Sequence, residues 1–346
     1  MKTFKRLLVV GAIVFTLHHC TFAAVTIDTV LVGDVGNPSD LATGLGSVSY
    51  GYSIGKYEVT LNQYTAFLNA VGATESYGLY NTSMGVPTPA NPTSGIDRSG
   101  VSGSYAYSVI GSGTRPVTYV SWFDAARFVN WLGNGQPTGV QAAGTTETGA
   151  YTLNGQTTGG GPLRNGSWTY GLPSESEWYK AAYYQPANQG GDVDGYWLYP
   201  TGSNTQPNSR NGSLTDPNSG NFNYDDGIAN GYNGGFAVNN ATTTPISALT
   251  DVGAFALANS FYGTFDQGGD VREWNDKSGG TGTRSWRGGG WFDSTASLSA
   301  TSGSSSFSGN TEQNQVGFRI VMVPEPSIAG LCLIGVAAVY CRRKPR

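Results

Sequence analysis

Cysteine and histidine are confined to the two ends of this 346-residue chain. Cys20, Cys332, Cys341, His18 and His19 are all of them, so the stretch from Ala24 to Val323 has neither residue. That excludes disulfide stapling, ordinary zinc sites and Ser-His-Asp or Cys-His nucleophiles from the interior of the chain. Cationic side chains are scarce there as well. Seven of the 19 Lys and Arg residues lie in the ends, but of the 23 Asp and Glu residues only Glu325 does, which leaves the interior with a net charge of about −10. Phosphate binding depends on clustered Lys and Arg, so nucleic acid and anionic lipid surfaces are disfavoured as partners. The balance suits divalent cations or neutral sugars. Gly, Ser, Thr and Asn are abundant, together with eight Trp and 20 Tyr. A disordered chain would lack those aromatics, so the composition describes a loop-rich globular domain packed around scattered rings.

The ends read as targeting segments. Lys2, Lys5 and Arg6 precede an apolar run from Leu7 to Leu17 and the small-residue stretch Thr21-Phe22-Ala23-Ala24. That is the order of a secretory signal, residues 1–23, with cleavage expected after Ala23. The run is too short for a spanning helix, and bulky His19 argues against lipidation of Cys20. At the other end, Val323-Pro324-Glu325-Pro326-Ser327 is followed by a nearly unbroken apolar run from Ile328 to Tyr340 and then by Arg342, Arg343, Lys344 and Arg346. The layout is a short membrane stop with cytoplasmic positive charge.

Between the ends, three capping boxes announce helices, each with a Ser or Thr side chain serving a free backbone N–H and a reciprocating residue three positions on. Thr60 with Gln63 opens a helix with Tyr64, Phe67, Leu68 and Val71 on one face, stopping at Gly72. Ser121 with Asp124 opens a second, carrying Ala125, Phe128, Val129 and Leu132 to Gly133. Ser174 with Glu177 opens a third through Trp178, Ala181 and Ala182. These caps account for the recurring Glu and Asp without catalysis. Strand signals fall at 47–54, 285–291 and 317–322. The stretches 72–113, 133–171 and 186–250 have no sustained period, and loops of that length are uncommon unless functional or pinned by ions. One α+β domain over residues 47–322, after a lead-in at 24–46, is the expected organisation.

Six pieces carry a family resemblance in order: IGKYEVTLNQYTAFLNAV, RPVTYVSWFDAARFVNWL, GLPSESEWYKAA, YGTFDQGGDVREW, RGGGWF and VGFRIV. Jointly they resemble the formylglycine-generating enzyme, or sulfatase-modifying factor, family. The resemblance implies a C-type-lectin-like α+β domain with little regular structure, stabilised by calcium. The active enzymes of that family oxidise a substrate cysteine with two copper-binding cysteines placed shortly after the Arg-Gly-Gly turn. Counted from Arg287-Gly288-Gly289, those positions hold Asp293 and Leu298, and neither is the soft ligand that copper(I) needs. A tryptophan usual in the family's Gly-Asn-Val-Trp-Glu-Trp motif is replaced by Arg272. A related branch, the non-haem iron sulfoxide synthases, uses a histidine triad that this domain lacks. Copper, iron and zinc are therefore not expected. The tail, residues 323–346, resembles the PEP-CTERM sorting signal, which implies processing by an exosortase and a place in the cell envelope or extracellular polymer of a Gram-negative bacterium.

Oxygen ligands remain, and they suit calcium. The resemblance places the ligands on the side chains of Asp266 and Glu273 and the carbonyls of Gly269 and Val271. A second calcium site corresponds to Asn221 and Phe222, although its downstream spacing is not reproduced. Asp192 with Asp194 and Asp225 with Asp226 are paired carboxylates in Asn- and Gly-rich loops, where turn formation is the ordinary role. Asp293, near Trp291, Arg272 and Arg287, marks a possible glycan- or peptide-binding cleft. The expected function is a non-catalytic, calcium-stabilised binding or matrix module held at the cell surface by its tail. The alternative is an enzyme of altered chemistry using Asp293 with Arg272 or Arg287.

Overall fold

The computed structural model describes residues 24–85, 88, 91–209, 213–224, 247–278 and 282–323. Its helices form where the caps place them. Helix α1 (Leu61–Val71), α2 (Trp122–Gly133) and α3 (Glu175–Tyr183) each start with a complete capping box, at Thr60/Gln63, Ser121/Asp124 and Ser174/Glu177. Each cap satisfies N–H groups that a helix start leaves unpaired, a contribution of about 1 kcal/mol. The expected apolar faces of α1 and α2 both meet the core. On α2, however, every residue from Trp122 to Leu132 is buried, because the segment after it covers the polar side. Arg127 pairs with Glu147 through Nε at 2.7 Å and Nη2 at 3.1 Å, and the Asn130 amide donates to the carbonyls of Thr146 and Tyr151 at 2.8 Å each. The aperiodic segment 133–171 is thus held by side-chain bonds to a helix.

Strands are short. One antiparallel sheet has the order β1 (Thr29–Val32), β2 (Tyr52–Gly55), β10 (Val321–Met322), β5 (Tyr170–Gly171). A second runs β8 (Ser305–Ser308), β7 (Thr283–Arg287), β6 (Arg272–Ser278), β9 (Val316–Phe318), with β6 and β9 parallel. β3 (Ile96–Ser99) and β4 (Ala106–Val109) form a hairpin inside 72–113. The architecture is α+β, as expected, but the strand signals shift. The signal at 47–54 narrows to β2, and that at 317–322 splits into β9 and β10 in different sheets. The stretch 266–273 is not one loop, because β6 begins at Arg272.

The main core lies where α1 and α2 meet β9. Tyr64, Phe67, Phe128 and Phe318 are all fully buried. Phe128 is edge-on to Phe67 and to Phe318, at 5.4 Å between ring centroids in each case, a geometry worth about 0.5–1.5 kcal/mol per pair beyond the area buried. Among the described residues no helix is long and apolar enough to cross a membrane. The leader, the tail beyond Val323 and the pair Asp225/Asp226 lie outside the described residues.

Candidate functional site

Strands β6 and β7 set the cleft. Their register puts Glu273 opposite Arg287 and Trp274 opposite Trp286. Because side chains alternate across a strand, Arg272 shares a face with Trp274 and its guanidinium lies 5.6 Å from the Trp286 ring centroid, while Glu273 points the other way into the protein. The chain then turns at Gly288 and Gly289, at φ +97° and +71°. A Cβ on Gly288 would stand 2.9 Å from the Gln267 carbonyl, so the turn needs glycine. It delivers Asp293 back to Arg272.

The resulting cavity, about 110 Å³, is lined by Arg272, Arg287, Asp293, Ser297, Ser302 and Trp286 among others. Asp293 Oδ2 accepts from Arg272 Nε at 2.7 Å and from the Gly290 N–H at 2.8 Å, and its Oδ1 accepts from Arg272 Nη2. This is a bidentate pair, the strong form of a guanidinium–carboxylate contact. Arg287 donates from Nε and Nη2 to Glu175 Oε1 at 2.9 and 2.7 Å. Lys277 takes the other oxygen of Glu175 at 2.6 Å, and these cations hold that carboxyl below its usual range against the effect of burial. Each cleft guanidinium is thus matched to a carboxylate. Trp291 does not line this cavity: it is 3% exposed and packs with Ala248, Leu249 and Val271. The aromatic wall is Trp286 stacked on Phe307 at 3.8 Å. Leu298 is buried with Tyr199 and Phe222.

Behind β6 lies the loop expected to hold calcium. Asp266, Gly269 and Asp270 all have positive φ, and the structure joins the two expected sites, since the Asp270 N–H donates to the Asn221 carbonyl at 2.7 Å. The Asp270 carboxylate, which the sequence reading left unassigned, accepts from Asn221 Nδ2, Thr250 N and Thr250 Oγ1 at 2.8–3.1 Å. Burial, with the charge of Asp266 added, pushes it up to about 8. Asp266 accepts from the Gly253 N–H at 2.6 Å, and burial pushes it up to about 6.

Glu273, expected as a calcium ligand, meets a cation of the chain itself. Its Oε2 accepts from Arg319 Nε at 2.5 Å and Trp178 Nε1 at 2.7 Å, and its Oε1 from Arg319 Nη2 at 2.6 Å. Among the described residues no three acidic, His or Cys side chains converge as a metal cluster. Asp192 and Asp194 are turn residues: Asp192 takes the Val193 N–H and the Asn204 amide, and Asp194 the Tyr196 N–H. Sequence reasoning missed Arg319 and Glu58. The signal was a charged residue inside each of two apolar segments, Phe318-Arg319-Ile320 and Tyr57-Glu58-Val59.

A comparison with curated protein sequences finds no match. Among solved structures, the chain is similar to CarF at 22% identity, covering 87% of this chain and 99% of that one, with a TM-score of 0.46. It is similar to variable protein 1 of Treponema denticola at 17% identity, covering 88% and 98%, with a TM-score of 0.46. It is also similar to PvdO from Pseudomonas aeruginosa at 15%, covering 86% and 92%, with a TM-score of 0.42. Residues 46–323, nearly the whole of the described span, match the family of the sulfatase-modifying factor enzyme 1-like domain, and this chain belongs to that family, with its C-type-lectin-like α+β fold.

Proposed function

We propose that this protein is a non-catalytic member of the family, a binding or matrix module displayed outside the cell. The observation that carries the reading is Asp293. At the position corresponding to the first copper cysteine of the active enzymes stands a hard carboxylate, already held by Arg272 and by the Gly290 N–H. The second position, Leu298, is buried and apolar, so neither offers the soft donor that copper(I) requires. What the cleft presents instead is a rim of serines and two matched ion pairs around an aromatic wall, which suits a neutral polar ligand such as a glycan or a peptide backbone. The leader and the PEP-CTERM-like tail support export, exosortase processing and a place at the envelope or in extracellular polymer. A stabilising cation belongs to the same reading.

The test uses the purified full chain on glycan and peptide arrays. The expected result is binding without turnover, reduced at least about tenfold by Arg272→Ala, the order of effect of removing one bidentate charged contact. Conversion of a sulfatase-type cysteine peptide to formylglycine under copper and oxygen, or any turnover abolished by Asp293→Ala with folding intact, overturns it.

A further inference from the structure

Residues 24–45 precede the span 46–323 that matches the family, and their first part lies on that span as a strip along its outside. Ala24 to Asp28 form neither helix nor strand, and exposure alternates along them, with Val25 and Ile27 packed against the main core. Side chains of the domain hold the backbone of this stretch. The Val25 N–H donates to Gln136 Oε1 at 2.7 Å, and the Val25 carbonyl accepts from Gln136 Nε2 at 2.8 Å. Gln63 Nε2 donates to the Thr26 carbonyl at 2.9 Å, and the Lys56 N–H to the Asp28 carbonyl at 2.8 Å. Strand β1 follows at the edge of its sheet and pairs with β2 alone. There Val32, fully buried, packs with Tyr52 and Ile54.

Each of these hydrogen bonds meets the backbone of the strip, so the same strip from a second copy is received with the same bonds. Without any strip, β2 is an open edge, and an open edge is a template for another strand. The link from strip to domain is short. β1 ends at Val32, and the chain turns at once through Gly33 and Asp34. Asp34 has φ +48°, a left-handed conformation that L residues adopt at a cost. Fully buried Lys180 pins this turn, its ammonium donating to the carbonyls of Gly33 at 2.6 Å and Asp34 at 2.9 Å. Just beyond it, Asn37 Nδ2 donates to the Gly46 carbonyl and to Tyr196 Oη at 2.8 Å each, which fixes the chain to the domain. The pivot is therefore confined to Gly33 and Asp34. A short hinge under strain favours the passing of an element from one copy to another, because straightening relieves the strain while the partner supplies every lost contact.

We propose that residues 24–32 are a donor strand exchanged between two copies of this chain, each laying its strip on the other's β2, Gln63 and Gln136. The exchange is reciprocal and closes as a two-fold dimer. It is independent of the cleft at Arg272 and Asp293, none of whose lining residues belongs to the strip or to its seat.

The test uses the full chain with Cys20, Cys332 and Cys341 replaced by serine, so that an introduced cysteine stands alone. Leu31 and Ser53 are opposite each other in the β1–β2 register. Opposed residues of an antiparallel pair lie about 4.5–5.5 Å apart at Cα, within reach of a disulfide. Chains carrying Leu31→Cys or Ser53→Cys are mixed in the folded state, incubated at high concentration and oxidised. The expected product is a disulfide-linked dimer that neither variant gives alone. Leu31→Cys mixed with Val193→Cys, a position 96% exposed, controls for random oxidation and is expected to give none. A Gly-Gly-Gly insertion after Gly33, which relaxes the hinge, is expected to lower the dimer yield. One chain carrying both substitutions is expected to close within itself on dilution. If it closes while the mixture gives no dimer beyond the control, the strand stays on its own domain and the proposal is overturned. If neither crosslinks, the β1–β2 register itself is wrong and the proposal falls with it. Equal dimer yields with and without the insertion also overturn it, because strain at the hinge is then not what drives the exchange.

Discussion

Arg319 sits between Phe318 and Ile320, fully buried. Its guanidinium reaches both oxygens of Glu273 and the carbonyls of Gly55, at 2.9 Å, and Phe265, at 2.8 Å. It therefore binds β6, the end of β2 and the Asp266 turn at once. Removing one member of a buried pair leaves the other charge unanswered, a loss of about 3–5 kcal/mol. Arg319→Met is expected to lower the urea-unfolding free energy by that amount, and Arg319→Lys to recover only part of it, because an ammonium cannot reproduce the fork; equal stability of Arg319→Met and wild type contradicts this. The sequence marks Arg319 as unusual, a charge in an apolar strand. It does not reveal the partners, since Glu273 and Gly55 lie 46 and 264 positions away. The same limit hid Glu58 and the pairing of Glu273 with Arg319, because a carboxylate that neutralises calcium and one that neutralises arginine look alike in a string of letters.

Elements were legible where their signals are local. A capping box occupies four residues, and all three were found at their expected residues. Strand ends were not, because a strand of two to five residues is defined by its partner rather than by its own pattern. Helix α2 carries a further consequence. Asp124, at the third position of its capping box, is 2% exposed, and burial together with the charge of Glu312 pushes its carboxyl up to about 8. In the unfolded chain it titrates near 4. Between these values the folded state holds a proton that the unfolded state has released, so its contribution to stability is full below about pH 4 and is lost as pH rises towards 8. The slope from one such proton is at most about 1.4 kcal/mol per pH unit. Asp124→Asn keeps an oxygen for the Ser121 cap and is expected to flatten the fall in urea stability between pH 5 and pH 8; parallel profiles for the two proteins would refute the assignment.

At the scale of the whole molecule, the two sheets share the end of the chain. β9 completes one and, two residues later, β10 is laid between β2 and β5 in the other, with Val321 registered against both Ile54 and Gly171. A chain stopped after Gln315 lacks an edge of one sheet and the centre of the other. It is expected to show no cooperative urea transition and no near-ultraviolet circular dichroism, whereas the full chain shows both; a cooperative transition in the truncated chain would refute the shared-closure reading. Contacts so distant in sequence also make folding slow. A ribosome delivers Ile54 long before Val321, so the sheet that β10 centres cannot close until synthesis is nearly finished. For a protein proposed to leave the cytoplasm behind an N-terminal leader, a sheet that closes last favours a chain still open to threading when translocation begins.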